Sequence, residues 1–351
     1  MNLEAAEKIA AAVLYEGYML YPYRPSSVKN QQRWNFGVLC PRSYCEQQQG
    51  SEAWMTQTEC LVKMGHSMRL AVKVRFLQLV QRSIGKLRAP GEEKPEDIEQ
   101  AFDIVDRLEV FGRMYQPWQE AAEREHILIV KDAASRLLPF STDLVFPAGK
   151  EFEYLRDEHG KAVGVIVREW EKLALSVEVG AEHCHEGVIR LSVRTTNLTD
   201  FESSEATDRA AALMFSLLSA HTVLGVENGE FVSLLDPAEG LETLAAECRN
   251  TGTWPVLVDE KAETVLSSPI ILYDHPQIAP ESAGDLFDSA EIDEILSLRI
   301  LTLTDDEKRE MRQSDERARQ ILERTESMPK EQFMKLHGVL RGLTPLKEEA
   351  R

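Results

Sequence analysis

The chain has 351 residues, of which 43% are hydrophobic and 28% charged, a composition typical of soluble globular proteins rather than disordered or fibrous ones. Its net charge of −19 is unevenly distributed: residues 1–90 carry 12 basic and 6 acidic side chains (net +6), and the other residues carry 28 and 53 (net −25). The acidic body argues against nucleic-acid or membrane-surface binding by the whole protein, whereas the basic N-terminal region is compatible with an anionic partner.

The N-terminal segment and the cysteines indicate the compartment. Because Glu4, Glu7 and Glu16 fall within the first twenty residues, we expect no secretory signal there. The longest apolar stretch, Ala210–Val226, is interrupted by polar residues and is too short to cross a bilayer. The cysteines have no regular spacing and lie at positions 40, 45, 60, 184 and 248. We therefore expect reduced thiols, a cytoplasmic location and no membrane insertion.

The first ninety residues predict a short helix, an aromatic loop and a strong strand. Residues 3–14 have helical spacing of apolar side chains, and residues 15–26 are rich in tyrosine and proline. Met68–Phe76 alternates strictly, with apolar side chains at even positions and Arg69, Lys73 and Arg75 opposite them. Around residues 77–79 the alternation changes phase, which predicts a bulge or bend.

The middle of the chain predicts an antiparallel sheet. Residues 88–98 form a linker rich in proline, glycine and charge, and residues 95–112 predict either a helix or a connection. From 144 to 200, alternating strands surround two turn signals, Asp157–Gly160 and Glu182–Gly187.

Helices and short strands are predicted after residue 200. A helix is expected from Ser203 or Ser204 to about Thr222. It is followed by a predicted strand at Glu230–Leu235 and a predicted helix at Ala238–Arg249. Two further strands, Pro255–Val258 and Ile270–Tyr273, are expected to pair with each other. Two capping boxes, Asp288–Glu291 and Thr304–Glu307, predict helix starts, and two more helices are expected at 315–326 and 330–341.

These elements predict an α+β fold in which antiparallel, sandwich-like β-sheets carry packed helices and a helical C-terminal extension. We expect three regions: a basic, aromatic-rich region with β-structure at 1–90, a body of antiparallel β-structure and helix at 91–287, and an acidic helical extension at 288–351.

Two groups of side chains are candidate metal ligands. His183, Cys184 and His185 follow one another in a predicted hairpin, and two imidazoles at alternate positions of an extended chain could share Ni²⁺ or Zn²⁺. Cys40 and Cys45 could add thiolate ligands. The alternative interpretations are a hydrated hairpin tip and two semi-buried structural cysteines. Phosphate-loop, dinucleotide-binding, zincin and nucleophile-elbow motifs are missing from the sequence, so no catalytic residue is predicted.

Two segments are candidate partner-binding surfaces. The N-terminal segment 15–45, called the head below, combines arginine and lysine with aromatic rings at Tyr18, Tyr21, Tyr23, Arg24, Lys29, Arg33 and Trp34. Such a mixture suits an acidic protein surface or single-stranded RNA, and its alternative is a packed corner. The irregular loop 273–288 carries Asp274, His275 and Asp285 and could contact a partner or cross the surface as a structural segment.

Two long motifs are similar to a known family. The first is Leu14–Gly37, and the second comprises Thr264–Pro276, Ala279–Asp288, Glu291–Glu294 and Leu303–Lys308. Together they resemble an uncharacterised bacterial family encoded beside the structural and maturation genes of uptake-type [NiFe]-hydrogenases. The resemblance implies a cytoplasmic accessory or assembly protein whose partner is a hydrogenase subunit or maturation factor. It supplies no catalytic residues.

The leading hypothesis is therefore protein binding by the head and the 273–288 loop, in support of hydrogenase assembly. A metal-handling protein or metalloenzyme that uses His183, Cys184 and His185 is the alternative. RNA binding by the head is disfavoured by the acidic body.

Overall fold

The computed structural model describes residues 3–15, 34, 36–91, 98–130, 139–202, 208–277, 293–314 and 316–329. Strands account for 49% of the structure and helices for 21%, and one large antiparallel sheet dominates it. The fold is mainly β, and the expectation of a balanced α+β fold with packed helices was wrong. The main cause is that strands are much longer than their sequence patterns indicated, since the first one alone has 33 residues.

Thirteen strands are found in the described residues: β1 (Met55–Leu87), β2 (Phe102–Val105), β3 (Leu108–Val110), β4 (Arg113–Tyr115), β5 (Trp118–Val130), β6 (Phe140–Phe146), β7 (Gly149–Arg156), β8 (Ala162–Trp170), β9 (Leu173–His185), β10 (Val188–Asn197), β11 (Leu218–Val232), β12 (Trp254–Leu257) and β13 (Thr264–Ser268). The helices of the same residues are α1 (Glu4–Leu14), α2 (Arg42–Gln47), α3 (Arg209–Met214), α4 (Glu242–Ala246), α5 (Asp293–Leu301), α6 (Asp305–Ser314) and α7 (Glu316–Ser327).

Strand β1 organises the large sheet. Its first part pairs with β10, and the sheet continues from there to β9 and β6. Its middle pairs with β11 on one edge and β5 on the other, and β11 leads to β13 and β12. Its last residues pair with β8 and β2, and β7 extends β8. Strands β3 and β4 form a separate hairpin, and the pairings between the thirteen described strands are antiparallel.

The sheet folds back on itself where β1 is irregular. The register against β11 shifts between Met64 and Arg69, and Ser67 in that interval has a positive φ of 55°. The two halves of the sheet then face each other, so that Val62 from the first half of β1 shares a core with Leu70 from the second. This inner core collects the apolar positions that the alternation in β1, β9 and β10 predicted.

Helices cover the outer face of the β5–β1–β11–β13 half. Helix α1 lies on the sheet through the small residues Ala6 and Ala10, which pack against Val223 of β11. Farther along β1, Leu77 and Leu79 join a second core with residues of α3, α5, α6 and α7. The phase change predicted at residues 77–79 marks the point where the outer face becomes as buried as the inner one, and the register also shifts there, between Arg75 and Leu77.

Both predicted hairpins are confirmed. Strands β7 and β8 are joined through Asp157–Gly160, where the Asp157 carboxylate accepts hydrogen bonds from the backbone amides of His159 (3.0 Å) and Lys161 (2.9 Å). Strands β9 and β10 are joined at Glu186–Gly187, where Gly187 adopts a φ of 71° that a side chain would disfavour. The loop predicted at Glu182–Gly187 is therefore shorter than expected, because β9 continues to His185.

The helix predicted from 203 to 222 was wrong over most of its described length. Helix α3 ends at Met214, and β11 begins at Leu218. The apolar run of this segment is compatible with either structure, and long-range pairing with the middle of β1 decides for a strand. Ser219, with a φ of 51°, lies at the change of direction.

Other local predictions had mixed outcomes. The strand expected at Ile270–Tyr273 was wrong, because β13 ends at Ser268, before Pro269, which has no amide hydrogen to donate to a sheet. Residues 98–110 form a 3-10 turn followed by β2 and β3 instead of a helix. The helix starts expected at 288 and 330 lie outside the described residues.

The capping box at Thr304 is confirmed. The Glu307 amide donates to Thr304 Oγ1 over 3.3 Å, and the Thr304 amide donates to Glu307 Oε2 over 2.9 Å. Helix α6 begins directly after this reciprocal pair.

Candidate functional site

The described part of the head is anchored in the protein core. Trp34 is only 2% exposed, with a φ of 64°, and its carbonyl oxygen accepts a hydrogen bond of 2.7 Å from Nη2 of Arg209. Arg209 also pairs with Glu52 over 2.7 Å. The predicted partner-binding residue Trp34 therefore holds the end of the head on the body, with its ring turned inward. The six other predicted head residues, from Tyr18 to Arg33, lie outside the described residues.

The second predicted surface begins with a fixed carboxylate. Asp274 Oδ1 accepts a hydrogen bond from the Leu257 amide (2.8 Å), and Oδ2 accepts one from Ser233 Oγ (2.5 Å). The amide of the next residue, His275, donates to the Leu257 carbonyl over 2.7 Å. Asp274 thus ties this loop to β12, whereas the His275 side chain is exposed. Asp285 lies outside the described residues.

The two motifs that carry the family resemblance meet on one side of the sheet. The Gly37 carbonyl accepts a hydrogen bond from the Ala220 amide over 2.9 Å, and a Cβ atom at Gly37 would lie 2.6 Å from the Pro269 side chain. Leu272 packs into the cluster in which α1 contacts the sheet through Ala6. The head and the 264–277 segment, more than 200 residues apart in sequence, are therefore neighbours in the fold.

Four large apolar side chains that follow or flank this meeting point in the chain or in the sheet are exposed. We call them the composite face: Phe36 (44% exposed), Trp254 (43%), Ile271 (68%) and Tyr273 (82%). Phe36 precedes Gly37, Trp254 pairs with Ser268 next to Pro269, and the other two follow Pro269 in the chain. The sequence placed Phe36 among the aromatic residues of the head and Tyr273 at the start of the 273–288 loop, but it singled out neither Trp254 nor Ile271 as a surface residue. Their exposure depends on which distant segments come together in the fold. Local sequence patterns do not predict such contacts.

A buried polar row runs under α1 and leads towards the composite face. Arg75 of β1 pairs with Glu125 of β5 on one side and with His221 of β11 on the other, and the His221 ring contacts Ser268 of β13. Glu125 is exposed, and the other three residues are buried. Arg75 is 8% exposed, and it binds the carbonyl oxygen of Glu7 (3.2 Å) and the carboxylate of Glu123 (3.1 Å). The guanidinium group therefore ties α1 and β5 to the central strand.

His221 is neutral within this row. Its Nδ1 donates to the Ser219 carbonyl over 2.7 Å, and its Nε2 accepts from Ser268 Oγ over 3.2 Å. The pKa of His221 is lowered to about 4, mainly by burial; the hydrogen bond to the Ser219 carbonyl opposes this shift, and the Arg75 charge adds to it. Both Ser268 and His221 are sealed from solvent, at 0% and 1% exposure, so this serine–histidine pair belongs to the scaffold.

The candidate metal ligands lie at two ends of the molecule. His183, Cys184 and His185 end β9, where both histidines are exposed and Cys184 lies beside Arg190. Cys40 follows Leu39, whose carbonyl binds the Asn197 side chain at the other end of β10. Nine residues of β10 separate Val188 from Asn197, a distance of about 30 Å. The structure does not bring the two sets together, and the described part of the chain contains no group of three His, Cys, Asp or Glu side chains arranged around a metal position.

Cys40 and Cys45 themselves are neighbours in the core. A hydrogen bond from the Cys45 thiol lowers the pKa of Cys40, and the same contact, together with burial, raises the pKa of Cys45. Next to them is an open cleft of about 630 Å³, in which the guanidinium group of Arg42 stacks over Trp54 at 4.8 Å. The cleft also has polar walls from the 196–200 segment.

No family model and no curated protein matches the chain. Among solved structures, the Salmonella SPI-1 type III secretion injectisome secretin InvG in the open gate state covers 75% of both chains, with 9% identity and a TM-score of 0.17. A near-atomic resolution structure of the same secretin covers 72% of both chains, with 9% identity and a TM-score of 0.14. Scores this low show no shared fold. Within the described residues, no helix combines the length and hydrophobicity needed to cross a membrane.

Proposed function

We propose that the protein is a non-catalytic accessory or assembly protein of [NiFe]-hydrogenase and binds a hydrogenase subunit or maturation factor through the composite face. The observation that carries this proposal is the meeting of the head and the 264–277 segment around Gly37 and Pro269. These two motifs, which resemble the hydrogenase-associated family, are neighbours in the fold. One partner would therefore contact both of them. A cytoplasmic location belongs to the same proposal.

The chemistry of the composite face supports a protein partner. Exposed Trp254 and Tyr273 offer large apolar area at a small cost in side-chain entropy, and such residues dominate the binding energy of protein interfaces. The basic residues Arg24, Lys29 and Arg33 of the head would attract an acidic partner surface and accelerate its association.

Binding to purified hydrogenase subunits and maturation factors tests the proposal. The double variant Ile271→Ser/Tyr273→Ser removes the two most exposed side chains of the composite face while the anchor Asp274 stays in place. We expect a loss of affinity of at least tenfold, because truncating two interface side chains removes about 1–2 kcal/mol or more. Calorimetric titration against each purified partner measures this loss.

A matched control is available at the far end of β1. Ile104 and Phe111 are 62% and 75% exposed, and Ile104 pairs with Gly85, about 30 Å along the strand from Arg75. The variant Ile104→Ser/Phe111→Ser is expected to bind like the parent protein. If both double variants bind with the same affinity as the parent protein, the composite face is excluded as the contact surface.

A charge-reversal variant tests the head separately. If the head meets an acidic surface, Arg24→Glu/Arg33→Glu weakens binding, and raising the salt concentration weakens binding of the parent protein in the same direction. Binding that is unchanged by both treatments would exclude an electrostatic contribution from the head. No binding of any hydrogenase component by the parent protein would refute the proposed function.

A further inference from the structure

One edge of β5 is unpaired among the described residues. Strand β5 pairs with β1 in an unbroken register from Leu70 to Arg82, and no strand of the described ranges lies on its other side. The opposite edge of this half of the sheet is covered, because the Leu257 amide of β12 donates to Asp274 and the Leu257 carbonyl accepts from His275. No described residue makes such a contact with the second half of β5. The amides and carbonyls that point away from β1 there can pair with another strand.

The second half of β5 lacks the features that protect edge strands. Residues 125–130 contain no proline and no lysine, and their pairing with β1 contains no bulge. The carboxylate of Glu125 contacts Lys73 of β1 at 3.1 Å. Ile127 and Ile129 alternate with the core side chains of the strand and are 47% and 54% exposed on the outer face. Exposed β-branched side chains beside an unpaired edge are typical of a strand that pairs with another chain.

The inner core is also open on this side of the molecule. Val130 at the end of β5 and Phe140 at the start of β6 line an apolar opening, and Leu70 and Val226 are among its walls. Strand β6 is the last strand of the other half of the sheet, and the described part of the chain places no strand beyond it. Covering this opening with a second protein surface would be favourable, because it removes apolar side chains from water.

We propose that two copies of the chain form a homodimer by antiparallel pairing along this edge of β5, with Leu128 of each copy at the two-fold axis. In this register, Ile127 of each copy lies opposite Ile129 of the other, so four isoleucines form one apolar strip on the outer face. Cross-strand pairs of β-branched side chains of this kind stabilise a sheet. A register centred on Ile127 would instead place Glu125 opposite Ile129.

The symmetry of the edge favours a second copy as the partner. Because Ile127 and Ile129 flank Leu128 at equal distances, the strand is complementary to itself in the antiparallel orientation, as a two-fold interface requires. Val130, which lines the opening of the inner core, lies two residues from the axis, about 7 Å along the strand. One interface therefore covers the openings of both copies.

The dimer leaves the composite face accessible. Strands β5 and β12 are the two edges of their half of the sheet, separated by β1, β11 and β13. Four strand spacings make this distance about 19 Å. Each dimer would carry two composite faces, and dimerisation of the isolated chain is measured without any hydrogenase component.

Sedimentation velocity of the full-length chain tests the proposal. The measurement is made at about 0.15 M salt, which screens the repulsion between two chains of net charge −19. An interface built on one strand edge is small, so we expect the sedimentation coefficient to rise from a monomer to a dimer value with increasing protein concentration. A chain that sediments as a monomer at every concentration would overturn the proposal.

A lysine variant and a matched control locate the interface. Ile127→Lys/Ile129→Lys places four lysines on the proposed strip and should raise the dimer dissociation constant at least tenfold. Both positions are exposed, and circular dichroism verifies that the variant is folded. Leu198→Lys/Leu235→Lys makes the same change at positions 45% and 58% exposed outside β5, and it should dimerise like the parent protein. Equal dissociation constants for the two double variants would exclude the β5 edge.

Disulfide cross-linking tests the register. Ile127→Cys and Ile129→Cys are prepared separately with both partly exposed cysteines replaced, as Cys184→Ser/Cys248→Ser. Oxidation of the mixed variants should give a covalent dimer on a non-reducing gel, because these two positions lie opposite each other across the axis. Each variant alone should give several-fold less. Equal or greater cross-linking of Ile127→Cys alone would overturn the register centred on Leu128.

Discussion

The two faces of β1 between Met68 and Phe76 differ in what covers them. The inner face carries an unbroken series of apolar side chains that meets the other half of the sheet across the sandwich. The outer face carries Lys73 and Arg75, whose alternation with apolar residues is typical of a solvent-exposed surface. Both are nevertheless buried, at 9% and 8% exposure, because α1 crosses the sheet at this point.

The comparison shows that alternation of polar and apolar residues indicates which side of the strand each side chain lies on. It does not indicate whether that side is buried or exposed. On the inner face, burial follows from the apolar side chains themselves. On the outer face, burial follows from α1, and the charges are compensated by acidic groups that α1 and β5 supply: Lys73 contacts Glu7 (2.7 Å) and Glu125 (3.1 Å). Substitutions on the inner face should therefore lower the free energy of unfolding by removing side-chain volume. On the outer face, the free energy of unfolding should depend on charge and on pH.

The largest effect is expected from the inner face. Phe76 is 1% exposed and packs edge-to-face on Phe146 with ring centroids 5.3 Å apart. Phe76→Ala leaves a cavity between the two halves of the sheet and should lower the free energy of unfolding by about 3–5 kcal/mol. Urea denaturation followed by tryptophan fluorescence measures this loss. The control Val145→Ala, at a position 60% exposed on β6, should change it by less than about 0.5 kcal/mol.

A pH titration tests the outer face next. The folded-state pKa of His221, about 4, lies below the value of 6.5 for an unperturbed histidine, so the unfolded chain binds more protons between these values. Stability is unaffected above pH 6.5 and falls as the pH drops towards 4, by roughly 3 kcal/mol for this residue.

His221→Gln should flatten that part of the stability curve relative to the parent protein, because an amide does not titrate. Ser268→Ala removes the hydrogen bond to Nε2 but keeps the imidazole, so it should retain the pH dependence. Equal slopes between pH 6.5 and 4 for the parent protein and His221→Gln would contradict a buried neutral histidine.

Arg75→Met tests compensation on the outer face with a smaller expected effect. The variant keeps most of the side-chain volume and removes the links to the Glu7 carbonyl and the Glu123 carboxylate. Since Glu123 is half exposed and can be rehydrated, we expect a loss of about 2 kcal/mol in urea denaturation. Arg69→Met, on the same face but in a 43% exposed pair with Glu227, should cost less than about 1 kcal/mol. Equal losses of unfolding free energy in Arg75→Met and Arg69→Met would show that burial under α1 does not increase the contribution of an ion pair to stability.

Local features of this fold were predictable from the sequence, and long-range ones were not. The turns at Asp157–Gly160 and Glu186–Gly187 follow from glycine and neighbouring side chains within four or five residues. The strand that begins at Leu218 depends on a partner more than 140 residues earlier, whereas the apolar run there, taken alone, predicts a helix. The same error, repeated in the length of β1, led to the wrong fold class.

The candidate site divides in the same way. The loop at Asp274 and the head were predicted as surfaces from charge and irregular composition, and their binding roles stay predictions. That Trp34 turns inward, and that Gly37 lies against Pro269, depends on contacts between distant segments. Sequence patterns do not reveal those contacts, because neither segment contains a residue type that identifies its neighbour in the other segment.

The smallest effect is expected at the capping box, which is local and belongs to the layer that covers the outer face. Helix α6 contributes Met311 to the core over Leu77 and Leu79. Thr304→Ala removes the acceptor for the Glu307 amide and should cost about 1 kcal/mol in urea denaturation. Thr302→Ala is the matched control, because the Thr302 hydroxyl donates to the Arg299 carbonyl three residues earlier in the chain; it should cost less than about 0.5 kcal/mol. A loss in Thr304→Ala as large as that of Arg75→Met would mean that the helical cover unfolds as one unit with the sheet beneath it, and the two faces of β1 would then share a single cooperative core.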